Sequence, residues 1–133
     1  SDEVAQEIRI FREKENPKWL HVFKNLPFWV FIRLMDKTGC AIGNSSAFIR
    51  EGAIIGVPAV NIGTRQQGRM RGRNVIDVPY NRDNILATIK KQLANGKYQP
   101  DSIYGDGGAA EKIVKILREI DLTKVPIQKR ICY

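Results

Sequence analysis

Apolar positions along the 133-residue chain switch between helical and strand-like spacing, and the switches divide it into elements. "SDEVAQEIRIFREKEN" predicts a helix: Ser1 can cap it, acidic residues fill its first turn, and Val4, Ile8 and Phe11 line one face. Pro17 stops it. "WLHVFKNL" predicts a short strand of mixed polarity. "PFWVFIRLMDKTG" predicts a helix with Pro27 in its first turn and Gly39 just past its end. "CAIGN" is an apolar run too short for a helix and predicts a buried strand. "SSAFIREGAIIG" predicts a helix running to Gly56, with Gly52 as a weak point, and "VPAVNIG" and "NVIDVP" predict two further strands. "DNILATIKKQLANG" predicts a capped amphipathic helix with Ile85, Leu86, Ile89 and Leu93 inward and Gly96 as its stop. "GGAAEKIVKILREIDL" predicts a last helix with Ile113, Val114, Leu117 and Ile120 on one stripe.

Strands alternating with helices predict an α/β fold, a Rossmann-like parallel sheet flanked by helices on both faces. The count is short: about four strands, fewer than a doubly wound sheet usually holds. A helix opens the chain with no strand before it. The expectation is a partial domain over residues 1–133, whose first strands would lie upstream and cover an open sheet edge. No repeat, low-complexity tract or long linker interrupts the pattern.

Composition changes this picture little. No run of about 18 apolar residues exists, so no membrane span or membrane partner is expected, and the charged start lacks a signal-peptide layout. Cys40 and Cys132 have neither metal nor redox spacing; reduced thiols in a cytoplasmic protein are expected, with Cys40 in the core. The lone histidine, His21, reads as packed or surface-exposed. No metal-ligand cluster is seen.

The net charge of +8 permits anionic partners without naming them. Part of it is concentrated in one stretch, "GTRQQGRMRGR", which carries Arg65, Arg69, Arg71 and Arg73. Two partners fit such a loop: a nucleotide sugar held at a helix N-terminus, or nucleic acid. No aromatic residues interleave with the arginines and no aromatic RNP run exists, so nucleic acid is not the partner expected.

Ser45 and Ser46 lie where the "CAIGN" strand delivers the chain into a helix. Free N–H groups and the positive dipole end converge there, an anion site to which serine hydroxyls add donors. Plain helix capping explains the same serines. Glu51 lies five residues beyond Ser46, as a ligand carboxylate or a solvated helix residue paired with a base. Arg65 follows the "VPAVNIG" strand, and in a parallel sheet ligands gather outside the strands' carboxyl ends. Its planar fork suits phosphate oxygens. Arg69, Arg71 and Arg73 read first as solvated loop residues. Gly63, Gly68 and Gly72 serve close ligand approach or ordinary turns. "YGDG", Tyr104 to Gly107, reads as structural, with Asp106 able to cap the last helix.

"GCAIGNSSAFIREGAIIGVPAVNIGTRQQGR" resembles the UDP-N-acetylglucosamine 2-epimerase family, in its hydrolysing branch. The likeness continues in "HVFKNLPFWVFIRLM", "SIYGDGGAAEKIVKIL" and "PIQKRICY". The Gly-Asn-Ser-Ser turn with "GTRQ" and "GR" downstream carries the distinction. The non-hydrolysing branch more often has Asp-Ser-Gly-Gly at that turn and lacks "NIGTRQ".

The resemblance implies two Rossmann-like domains facing across a cleft, the glycosyltransferase-B arrangement. This chain would be most of the C-terminal one, with the N-terminal domain as its missing partner. It implies that UDP or UDP-N-acetylglucosamine is bound by the serines Ser45 and Ser46 on the phosphates, Glu51 on the ribose, Arg65 at the diphosphate and backbone at Leu26 on the uracil edge. Pro27, Phe28, Asn44 and Arg69 are secondary candidates, with Phe28 better explained by helix packing. The reaction implied releases N-acetylmannosamine and UDP at the start of sialic or another nonulosonic acid's synthesis, with no cofactor and no metal. Its acid/base groups would lie outside this chain, so His21 inherits no role and the segment alone is expected to be inactive. A non-hydrolysing epimerase or a glycosyltransferase of the same frame is the alternative. Family members often dimerise, mostly through the absent domain, which leaves homo-oligomerisation of the full enzyme open.

Overall fold

Three parallel strands, β1 (Ala41–Gly43), β2 (Ala59–Ile62) and β3 (Val75–Val78), form one sheet in the order β1-β2-β3 in the computed structural model, which describes residues 2–124. The helices are α1 (Asp2–Glu15), α2 (Phe28–Lys37), α3 (Ser46–Ile55), α4 (Arg82–Asn95) and α5 (Ala109–Glu119). The chain divides between Arg33 and Leu34, within α2, into two compact units. Ser1, Cys132 and the "PIQKRICY" ending lie outside the described residues. Among the described residues no helix is long and apolar enough to cross a membrane.

In the first unit, α1 forms as its periodicity predicts, but Val4, Ile8 and Phe11 all stay exposed. Phe11 meets the Trp19 ring, centroid to centroid, at 6.1 Å and 51°. The strand expected at "WLHVFKNL" does not exist: Trp19 sits in a turn and irregular chain runs from Leu20 to α2. A strand needs a ladder partner, and among the described residues of its unit this segment has none; Trp19, Val22 and Phe23 are left exposed. Leu26 and Pro27 therefore end no strand. They open α2 instead, where the Pro27 carbonyl accepts from Val30 N and Phe31 N, each at 3.0 Å.

The second unit holds the sheet. Ala59 and Val60 in β2 are both 0% exposed. Successive strand residues point to opposite faces, so the central strand is covered on both. Helices α3 and α4 pack on β2, and α4 also reaches β3. Ile49, Ala53, Val57 and Met35 complete the apolar core. This is a Rossmann-like α/β layer structure, with three strands where about four were expected. β1 is an edge strand, and its Ile42 is 46% exposed. Cys40, just before that edge, is half-buried rather than core; what burial it has raises its thiol pKa.

α3 ends on Gly56 in the left-handed region (φ 75°), whose N–H donates to Gly52 O at 2.8 Å. α4 starts on Asn81, which accepts from Asn84 N at 2.9 Å. The inward stripe of α4 differs from expectation. Ile85, Thr88, Ile89 and Gln92 face the sheet at helical spacing, while Leu86 and Leu93 are exposed. Gln92, 0% exposed, wins the place because its amide donates to Ala59 O (2.8 Å) and Asn74 O (2.9 Å) and accepts from Tyr98 Oη (2.7 Å). The stripe on α5 forms, but Ile113, Val114, Leu117 and Ile120 all remain exposed. Asp106 does not cap α5 directly. It accepts from Gly108 N at 3.0 Å, and Gly108 is the cap residue.

Candidate functional site

The carboxyl end of β1 and the loop after β2 meet at Asn44. β1 leaves through Gly43 at φ 142°, a conformation that favours glycine, and α3 begins three residues later at Ser46. Ser45 is the N-cap, extended at φ −76° and ψ 135°, and its hydroxyl accepts from Ala47 N at 3.3 Å. Capping is thus real for Ser45. Ser46 is the first helical residue and its hydroxyl is not spent on the cap. The positive end of a ten-residue helix dipole opens at this turn. Glu51 is half-buried on α3, about 7.5 Å further along the axis at 1.5 Å per residue. Among the described residues no basic side chain pairs with it, so the solvated ion pair that sequence allowed is not there.

Residues 63–74 connect β2 to β3, parallel neighbours, without a helix. Such crossovers usually carry one. This loop folds on itself through polar contacts. Gln66, 5% exposed, donates from Nε2 to the Asn44 carbonyl at 2.8 Å and accepts from Arg69 Nε at 2.8 Å. Arg65 Nη1 lies 3.5 Å from Asn44 Oδ1, a long contact. Its guanidinium is exposed and, among the described residues, no carboxylate neutralises it. Arg71 is different. Its Nε donates to Asp77 Oδ2 at 2.6 Å, its Nη2 to Gln66 O at 2.8 Å, and its Nη1 to Arg69 O. The expectation that Arg71 is solvated is corrected: the carboxylate of Asp77 on β3 captures it. Arg69 rests on Gln66, and Arg73 is exposed.

Of the expected ligand residues, Ser45, Ser46 and Arg65 therefore lie around Asn44 in the second unit, and Glu51 stands five residues further along α3 than Ser46. Arg69 joins them through Gln66. Leu26, Pro27 and Phe28 belong to the first unit, where Leu26 is half-buried and Phe28 is exposed. Sequence reasoning missed Gln66, Asn61 and Asp77. Asn61 left a signal, a polar residue inside the apolar run "VPAVNIG". It is 3% exposed and donates to Asp77 Oδ1 at 2.6 Å. Gln66 and Asp77 left none, because polar residues in or beside an exposed loop look alike until their partners are known.

The arrangement offers a helix N-terminus with a spare hydroxyl, an uncompensated guanidinium beside it and a carboxylate one and a half turns away. Such a set fits a ligand with negative oxygens at one end and vicinal hydroxyls at the other. A family model described as UDP-N-acetylglucosamine 2-epimerase matches residues 1–118. A UDP-N-acetylglucosamine 2-epimerase of Neisseria meningitidis serogroup B is 32% identical over 111 residues, 81% of this chain and 29% of that protein. A hydrolyzing UDP-N,N'-diacetylbacillosamine 2-epimerase of Legionella pneumophila is 35% identical over 103 residues, 77% of this chain and 27% of that protein. A hydrolyzing GDP/UDP-N,N'-diacetylbacillosamine 2-epimerase of Campylobacter jejuni is 38% identical over 68 residues, 51% of this chain and 18% of that protein. The chain thus spans less than a third of the length of these relatives. With a family match over most of its residues and the glycine-asparagine-serine turn seated against its arginine loop, the chain belongs to the UDP-N-acetylglucosamine 2-epimerase family.

Proposed function

We propose that this chain is the UDP-holding part of a hydrolysing UDP-N-acetylglucosamine 2-epimerase, and that the complete protein converts UDP-N-acetylglucosamine to N-acetylmannosamine and UDP. The observation that carries the reading is the convergence of Arg65 and Gln66 on Asn44, beside the serines that open α3. The hydrolyzing relatives in Legionella and Campylobacter support the hydrolytic outcome.

In this reading a base removes the proton at sugar C2, UDP departs from C1, and water adds to the resulting glycal. The acid/base groups lie outside this chain, in the remaining two thirds of a protein of the relatives' length. The chain's own residues act on the leaving group. Ser46 and the first N–H groups of α3 donate to the diphosphate, and Arg65 answers its negative charge. Charge on the diphosphate grows as the C1–O bond breaks, so these contacts strengthen in the transition state and lower its energy. Glu51 accepts from the two ribose hydroxyls and fixes the nucleoside.

Incubation of the complete protein with UDP-N-acetylglucosamine, without acceptor, tests the reaction. Free N-acetylmannosamine and UDP are expected. Slow release of N-acetylglucosamine alone marks a glycosyltransferase, and UDP-N-acetylmannosamine marks the non-hydrolysing reaction. Arg65→Ala is expected to lower kcat/KM by more than about tenfold, about 1.4 kcal/mol. An unchanged value removes Arg65 from the site.

A further inference from the structure

The loop that carries Arg65 has almost no apolar means of holding its shape. Between Gly63 and Asn74 the one large apolar side chain is Met70, and it is 61% exposed. The buried members are Gln66, Gly72 and Asn74. A loop of this length without an apolar anchor or a helix stays ordered only as far as its polar contacts hold it. The Tyr104 hydroxyl donates to Met70 O, and the Asn74 amide to Phe48 O and Val57 O. The contacts nearest Arg65 form a separate, connected series. Asn61 Nδ2 on β2 donates to Asp77 Oδ1 on β3 (2.6 Å), fixing that carboxylate. Asp77 Oδ2 takes Arg71 Nε (2.6 Å). Arg71 Nη2 holds the carbonyl of Gln66 (2.8 Å), the residue that follows Arg65. The Gln66 amide then grips Asn44 O (2.8 Å), at the turn where α3 begins. Asn61 and Asp77 are register partners on neighbouring strands, so the series starts from the most rigid part of the fold.

We infer that Arg71, clamped by Asp77, is a positioning residue that sets Arg65 over the Ser45–Ser46 turn and so tunes the affinity for the diphosphate of a uridine nucleotide. The inference rests on the function proposed above. Arg71 is already engaged within the loop: its Nε, Nη1 and Nη2 donate to Asp77 Oδ2, Arg69 O and Gln66 O. Lysine could not replace it, because a point charge paired with Asp77 has no second arm for the Gln66 carbonyl.

The test is a double-mutant cycle on the complete protein, with UDP as the probe, alongside hydrogen exchange of the Gln67 and Arg69 amides. Those two amides close turns inside the loop, on Thr64 O (2.9 Å) and Gln66 O (3.3 Å). Arg71→Ala is expected to weaken UDP binding about tenfold and to speed exchange of both amides by a similar factor. In an Arg65→Ala background the same substitution is expected to change UDP affinity less than about twofold, since there is no guanidinium left to position. A merely structural role would not produce that non-additivity. Asp77→Asn keeps an acceptor for Asn61 but removes the charge facing Arg71, and it serves as the second variant if Arg71→Ala does not fold; the same direction is expected. Unchanged exchange, unchanged affinity, or an equal loss with and without Arg65 overturns the inference while the site reading stands. Wild-type protein that does not bind UDP overturns the site reading, and this inference with it.

Discussion

Gln66 and Asn44 are 22 residues apart in the chain, yet the Gln66 side chain donates to the Asn44 backbone carbonyl at 2.8 Å. That bond joins the loop after β2 to the turn after β1, the two places where a parallel sheet presents its ligand-binding ends. It also explains why a glutamine is 5% exposed in a loop of mostly exposed residues.

Gln66→Leu keeps the bulk and removes both ends of the amide. The Asn44 carbonyl then loses its donor and Arg69 Nε its acceptor. A loss of about 1–3 kcal/mol in unfolding free energy is expected from the polar groups left unpaired, read by urea denaturation. UDP affinity should fall as well, because the loop is no longer tied to the α3 turn. Full affinity in a destabilised variant would show that the tie serves folding alone.

The neighbouring serines separate two roles that sequence leaves merged. Ser45 caps α3, so Ser45→Ala should cost about 1 kcal/mol of stability whether or not nucleotide is present. Ser46 spends no hydroxyl on the cap, so Ser46→Ala should leave thermal stability of the free protein nearly unchanged while weakening UDP binding. Differential scanning calorimetry with and without UDP reads both. Equal losses of stability in the two variants would mean that both hydroxyls serve the helix.

How far the sequence disclosed all this depended on what kind of partner each residue meets. α3, β2 and β3 follow from local spacing, because their apolar residues find the core their periodicity points to. The run at Trp19 to Leu26 had strand-forming residues but no ladder, and pairing is a property of the rest of the chain. On α4 the pattern promised Leu86 and Leu93, yet Gln92 is the buried residue. The sheet offers it two carbonyls there, which no hydropathy pattern records. For the candidate site, the serine turn and Arg65 stand out in the sequence because their residue types advertise anion chemistry. Arg71 advertised the same chemistry, and Asp77, six residues away, takes it out of solution.

Gln92 itself makes a test of that burial. Replacement by Leu fills similar volume but strips donors from Ala59 O and Asn74 O and the acceptor from Tyr98 Oη. Asn74 O keeps the bond from Ala59 N at 2.8 Å, so the damage is partial. About 2 kcal/mol of destabilisation is expected by urea unfolding, with UDP affinity of the folded protein unaffected. A neutral or stabilising effect would show that apolar packing against β2 outweighs the lost hydrogen bonds.

At Asp106 the turn into α5 is held by charge, and its pH dependence can be worked out. The carboxylate accepts from Gly108 N at 3.0 Å and pairs with Lys112 Nζ at 3.1 Å. The Gly108 bond first, and Lys112 second, hold its pKa below the ordinary 3.8. Both partners favour the ionised form. A group whose folded pKa is depressed stabilises the fold above its unfolded pKa, and that contribution disappears as pH falls through the folded value. The window therefore lies below about pH 4, and neutral conditions leave the turn intact. Lys112→Met should raise the Asp106 midpoint only part of the way, because the Gly108 N–H remains. Salt should do the same, since it screens the exposed lysine more than a backbone hydrogen bond. Carboxyl carbon NMR across the acid range reads both shifts. A midpoint in Lys112→Met identical to the wild type would assign the whole depression to the backbone, and a full return to 3.8 would assign it to the lysine.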